Sequence, residues 1–346
     1  MKTKIKARAH GVVLLVALAA ALAGRAMGIP YENPLWTHEA YDATWMKTAA
    51  GIYYLTSTER EVLRSRDFIH WELVANDFFD AETLRNIRVR WPNIWAPKIM
   101  DFTGKGDYRI YVAHNRNDLD AAIFVYRSDR PEGPYRDGRM ITAGPDTGIK
   151  DTIDPDVIRD PETGKWWMFF GSIGGDYILE LASDGLSAAP GAKPIHIAGL
   201  KMTQSLRRWC VYEGTSIVRH GGWWYYLAGA GEWSTRNYRI VCGRSKSLTG
   251  PYVDREGRKM ADGYAETVAA SGADKKFFSP GHPSEMFTSP TGRTYIFHFC
   301  NSSLGWKKGR VPAPYFRPLM LSELMWSEDG WPFVEGGTVR HGGVLQ

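Results

Sequence analysis

Cysteine is scarce in this chain and badly placed for a structural role. There are three, Cys210, Cys242 and Cys300. An odd count allows at most one disulfide, with the pairing undetermined, and the spacing does not suit a zinc site. Cys210, close to Glu213, reads as a buried inert thiol. An excess of one charge sign is also missing once residues 1–28 are set aside. That stretch carries five Lys and Arg and no acid, which leaves 38 basic against 38 acidic residues. The formal charge of +5 therefore belongs to the leader, and no basic patch argues for nucleic acid. The chain has no apolar run that spans a membrane comfortably. Its longest, Gly11 to Gly24, follows Lys2, Lys4, Lys6 and Arg8 and precedes Ala26-Met27-Gly28. This is the pattern of an export signal over residues 1–28, and it implies a secreted or periplasmic protein. No low-complexity linker divides residues 29–346, so one domain is expected there.

What the chain has in quantity is aromatic residues: 14 Trp, 17 Tyr and 14 Phe. They recur in phase. The stretch IDPDVIRDPETGKWWMFFGS, Ile153 to Ser172, holds an acidic residue, a polar turn closing on Gly164 and an apolar aromatic run. Turn residues between two apolar runs describe a hairpin. Glycines leading comparable aromatic strands are Gly51, Gly106, Gly164, Gly222 and Gly292, at intervals of 55, 58, 58 and 70. A second marker, an apolar strand running into serine and a polar turn, also occurs five times, at Ser65, Ser128, Ser183, Ser245 and Ser327. Two GPY turns, Gly133-Pro134-Tyr135 and Gly250-Pro251-Tyr252, fall at matching places. Five copies of a multi-strand unit predict an all-β fold, a five-bladed β-propeller.

Nine or ten residues before the five glycines stand Asp42, Pro97, Asp154, Glu213 and His282. Equal phase in a repeat means equal position in space, so the five should ring the mouth of the central channel. Three of them are carboxylic, where a buried strand end would ordinarily be apolar. Each alone has a plain reading: Asp154 as a turn former, Glu213 as a solvated charge, Asp42 as a cap. Together they repel one another, a cost that function readily explains. Two carboxyl groups of unlike proton affinity are what glycosidic hydrolysis needs, one to protonate the leaving oxygen and one to activate water or attack carbon.

These residues carry a resemblance. Trp95-Ala96-Pro97-Lys98-Ile99, Ile153-Asp154-Pro155, the segment Tyr238 to Met260, Ser279-Pro280-Gly281-His282 and Asp329-Gly330-Trp331-Pro332 occur in the order seen in family 43 of the glycoside hydrolases. Within it the chain is most similar to the arabinan endo-1,5-α-L-arabinanases. The resemblance runs from Asp42 to Phe333. It implies a hydrolase of arabinofuranosyl linkages in plant cell-wall polysaccharide, arabinan or arabinoxylan, acting with inversion. Asp42 would be the general base, Glu213 the general acid, and Asp154 the residue that raises the pKa of Glu213 and helps hold the sugar. Base and acid should then stand about 6.5–9.5 Å apart. The resemblance also implies calcium near His282 in the channel; calcium prefers oxygen, so a hydrogen-bonded channel histidine is the equal alternative.

Further substrate contacts are expected from Trp95, by stacking, and from Ser172. Trp36 and Trp45 also flank ring positions, but core packing is the default for both. Arg317 either reaches the channel or forms a surface ion pair. The base motif departs from the family pattern: Tyr41-Asp42-Ala43 stands where His-Asp-Pro is usual, which leaves endo and exo cleavage both open. Glu39 is out of phase with Gly51 and reads as a loop charge. Rival readings are an α-L-arabinofuranosidase or β-xylosidase of the same family, a retaining fructan-processing propeller suggested by Arg159-Asp160-Pro161, and a non-catalytic carbohydrate-binding propeller. The Arg-Asp-Pro tripeptide lies in a turn away from the ring phase, which counts against the second.

Overall fold

The computed structural model describes residues 28–87, 94–115, 121–149, 151–200, 212–303 and 316–346. Residues 1–27 of the expected export signal (1–28), and Cys210, lie outside them. Five antiparallel sheets follow one another along the chain. Blade one is Thr44–Lys47, Tyr53–Thr56, Val62–Ser65 and Glu72–Ala75. Blade two is Ile94–Asp101, Tyr108–Asn115, Ala121–Ser128 and Arg136–Ala143. Blade three is Asp156–Arg159, Trp166–Ser172, Gly175–Leu181 and Ile195–Ala198. Blade four is Tyr212–His220, Trp223–Ala230, Arg239–Ser245 and Glu266–Ala269. Blade five is Phe277–Gly281, Thr294–Ser302, Leu319–Trp326 and Pro332–Phe333, with Phe287–Thr288 added beside its second strand.

The core explains why the aromatic runs are apolar on both faces. Side chains alternate across a strand. In blade three Phe169 packs with blade four, against Tyr226 and Trp224, whereas Met168 and Phe170 pack with blade two, against Tyr111 and Val125. Comparable clusters join blades one and two, four and five, and five and one. That last cluster, with Tyr53 and Phe68 against Phe287 and Phe297, closes the circle. The protein is a five-bladed β-propeller.

All five repeat glycines have positive φ, between 73° and 91°, a conformation that a hairpin turn needs and a Cβ opposes. The serine markers end the third strand of each blade or follow it within two residues. Both GPY turns carry a cis peptide and a fully buried tyrosine, whose hydroxyl donates to the carbonyl four residues before it. Tyr31 precedes blade one in sequence but lies in a separate strand, Ile29–Glu32, antiparallel to Gly342–Leu345. Asn33 ties this pair to blade five through Leu321, giving its amide to the Leu321 carbonyl and accepting the Leu321 N–H. Cys242 and Cys300 are buried free thiols.

Candidate active site

Each innermost strand has one residue of left-handed backbone conformation in it or within two residues of its end: Asp42 (φ 57°) and Asp154 (56°) before the strand, Ala96 (42°) and Gly214 (61°) within it, and His282 (50°) directly after it. Such values are rare outside glycine and concentrate at functional sites. Register slips accompany this kink in blades two, four and five, as a bulge that re-aims a side chain does. The ring phase is thus real, with two corrections. In blade two Ala96, not Pro97, holds the equivalent position, and in blade four it is Gly214, with Glu213 one residue earlier. Glycine is required at 214: a Cβ there would lie 2.3 Å from His282 Nδ1.

His282 is the meeting point. Its Nδ1 is 3.0 Å from Asp42 Oδ1 and 4.0 Å from Asp154 Oδ2. The other Asp42 oxygen accepts the Thr58 hydroxyl at 2.7 Å, and Thr58 Oγ1 in turn accepts the Ala96 N–H at 2.9 Å. Asp154 Oδ2 accepts the Gly214 N–H at 2.9 Å. Glu213 accepts Tyr238 OH on Oε1 at 2.8 Å and Ser172 Oγ on Oε2 at 2.9 Å. The Ser172 hydroxyl, expected to face a sugar, is therefore directed at Glu213. Gly229 and Gly281 make room for Tyr238, since a Cβ at Gly229 would lie 2.2 Å from its hydroxyl and one at Gly281 1.7 Å from its ring.

The carboxyls differ in proton affinity. Burial pushes Asp42 up, but His282, Arg317 and the Thr58 hydroxyl outweigh it and hold Asp42 below the ordinary range. Burial pushes Glu213 up, and the Tyr238 and Ser172 hydrogen bonds only partly offset this, so its net shift is upward. Asp154 is raised by burial and by the charges of Asp42 and Glu213, against the pull of His282. Burial disfavours a charged imidazole at His282, yet Asp42, Asp154 and Glu213 raise it to about 9. Near neutral pH the centre thus holds the Asp42 carboxylate paired with an imidazolium and Asp154, raised to about 8, with its proton, while Glu213 is shifted towards its protonated form. The repulsion anticipated for three carboxylates is resolved in this way.

A family model, Glycosyl hydrolases family 43, matches residues 31–332. The chain belongs to this family. It is 28% identical to an extracellular exo-α-(1→5)-L-arabinofuranosidase of Cellvibrio japonicus, over 93% of this chain and 91% of that one. It is also 28% identical to an extracellular endo-α-(1→5)-L-arabinanase of Thermotoga petrophila, over 83% of this chain and 69% of that one. The solved structure of a Cellvibrio cellulosa α-L-arabinanase complexed with arabinohexaose superposes with a TM-score of 0.72 at 24% identity, covering 86% of this chain and 95% of the other. That likeness speaks for the fold.

The remaining expected residues of this family 43 hydrolase fall as follows. Trp95 is half-buried beside Ala96, against the core between blades two and three. Trp45 belongs to the core, with Phe68 and Phe287 around it, and its indole N–H donates to the Glu285 carbonyl. The Trp36 indole N–H donates to Glu61. Arg317 reaches inward: its guanidinium lies 3.2 Å from the centre of the Tyr41 ring and 4.9 Å from that of Trp233. Glu39 accepts the Arg317 backbone N–H at 3.2 Å, so it serves as that arginine's support. Sequence reasoning passed over Thr58 and Tyr238. Nothing periodic marks Thr58. Tyr238 stands within the fourth-blade segment that carries the resemblance, but only the approach of Gly229 and Gly281 shows which way its ring points.

Among the described residues no helix is long and apolar enough to cross a membrane.

Proposed function

We propose that this chain hydrolyses α-1,5-linked L-arabinofuranosyl units of plant arabinan with inversion of configuration, as an endo-acting enzyme released from the cell by its leader. The observation that carries the reading is the split in proton affinity between Asp42 and Glu213. An ionised carboxylate can take a proton from water while a protonated carboxyl gives one to the departing oxygen. Asp42 is the base, Glu213 the acid, and Asp154, pinned by the Gly214 N–H, orients the sugar and helps keep the proton on Glu213. Trp95 and Arg317 line the sugar's path. The relatives named above, both described as extracellular, support the linkage and the location. Exo action is the second reading. It is favoured by one observation: the relative matched over nearly the full length of both chains is named an exo-arabinofuranosidase.

The test is to incubate the protein with linear arabinan, branched arabinan and arabinoxylan and to separate the products. Oligomers from linear arabinan support the endo reading, arabinose alone supports the exo one, and no release from any arabinan refutes both. Proton NMR of the first turnovers should show the β-anomer; the α-anomer would exclude inversion.

Tyr238 supplies a pH test. Its hydroxyl stabilises the charged form of Glu213 and so lowers the pKa of the acid. Tyr238→Phe removes that bond and is expected to move the alkaline limb of the kcat profile upward by about 0.5–1 pH unit. A limb that stays or moves down would show that Glu213 is not the acid.

A further inference from the structure

Beneath His282 the channel holds a second polar group that the chemistry above does not use. Lys98 Nζ is 2.6 Å from Asp156 Oδ1 and 2.6 Å from Glu285 Oε1. The two carboxylates are committed on all four oxygens. Asp156 Oδ2 accepts the Ile217 N–H at 2.9 Å. Glu285 Oε1 also accepts Thr44 Oγ1 at 2.7 Å, and Oε2 accepts the Trp45 N–H at 3.2 Å. These partners come from all five blades: Thr44 and Trp45 from one, Lys98 from two, Asp156 from three, Ile217 from four, and Glu285 from the segment following the first strand of five. Lys98 is the hub, 8% exposed.

We propose that the Lys98 ammonium is the resident cation of the propeller axis, occupying the place a divalent metal would take, so that ring and site are held together without calcium. Calcium asks for six to eight oxygen ligands at about 2.3–2.6 Å. The cavity between His282 and this group, lined also by Lys98, Asp156, Ser216 and Glu285, measures about 20 Å³. That is room for one water molecule. The one side-chain oxygen there without a protein partner, among the described residues, is Ser216 Oγ, a natural anchor for that water. His282 turns its Nδ1 to Asp42. Asp156 and Glu285 outweigh burial and keep Lys98 charged, as a buried ammonium closed on two carboxylates should be.

The experiment is thermal unfolding of the native protein after dialysis against EDTA, with and without excess calcium chloride, together with elemental analysis of the untreated protein. An unmoved Tm and far less than one bound metal per chain are expected. A chain holding calcium would shift by about 5 °C between the two conditions; that shift, or one tightly held equivalent of metal, overturns the proposal. Lys98→Gln leaves the buried Asp156 carboxylate and the half-buried Glu285 carboxylate facing each other without a cation, and should lower Tm by about 5–10 °C. An unchanged Tm in that variant also overturns it, whereas a loss that calcium partly restores in the variant alone supports it. If the variant does not fold, the native measurements decide. None of these readouts involves a sugar, so failure of the arabinan reading would leave them intact.

Discussion

Glu213→Gln is expected to lower kcat by roughly 10²–10⁴-fold while leaving affinity for the polymer nearly unchanged. At about 1.36 kcal/mol per decade, this is a loss of about 3–5 kcal/mol of transition-state stabilisation. The amide keeps the shape of the carboxyl and can accept from either Tyr238 or Ser172, and the other hydroxyl can turn to accept from its N–H. What it lacks is the proton for the leaving oxygen. A hydrolase would therefore bind and not turn over; a carbohydrate-binding module would show no turnover in either form. Stability should move the other way. Glu213 holds its proton more tightly folded than unfolded. As pH rises past the unfolded value of about 4.3, the native chain loses stability on its account, and the variant does not. Equal or higher Tm for the variant at pH 7–8, with turnover abolished, is the expected combination. A variant that retains turnover removes Glu213 from the chemistry.

Asp42→Asn should depress kcat by a similar factor, roughly 10²–10⁴-fold, because an amide cannot take a proton from water. Its effect on stability has the opposite sign. Asp42 is held low and His282 is raised to about 9. The pair's contribution is thus fully present between the unfolded pKa values of Asp and His, about 3.9 and about 6.5, and is lost as pH rises through the folded value for His282. Within this window the variant keeps a buried imidazolium without its nearest anion, and part of the usual cost of a broken buried pair, about 3–5 kcal/mol, should appear. The Tm gap between native and variant should be widest near pH 6–7 and narrow towards pH 9, where the imidazole of the native protein also gives up its proton. Calorimetry across that range checks it; a gap independent of pH would mean that Asp42 and His282 do not act as a charged pair. Two variants equally dead, one as stable as the native enzyme and one weakened, would separate the acid from the base without any substrate bound.

How much of this could be read beforehand differs from residue to residue. The blades were legible because each aromatic strand follows a glycine that only the left-handed turn explains, and because both faces of the strand are buried. Asp42, Asp154 and His282 were legible for the same reason: the repeat carries them to matching kinks. Glu213 was placed one residue off the true equivalent because Gly214, which makes room for His282, takes the kink itself. Pro97 was a similar slip beside Ala96. Tyr31 stands next to blade one in sequence, and nothing in the repeat shows that its strand partner, Gly343, lies at the far end of the chain. The supporting layer was not legible. Lys98 and Glu285 act through distances between blades, while Thr58 and Tyr238 reach Asp42 and Glu213 from loops of the same blade, and no spacing within a repeat records either kind of approach.

The pairing of Ile29 with Leu345 has a consequence for biogenesis. Partners so remote in sequence meet late, since a chain must meet the entropy of the largest loop before that contact rewards it. A nascent propeller therefore passes through a stage in which four or five sheets exist but the first and last faces stand bare, with Phe68 and Phe287 exposed to any other chain nearby. Under the export proposed above, this stage falls at or after the membrane crossing. A fastening clasp of four residues from each end makes the whole circle an all-or-none assembly.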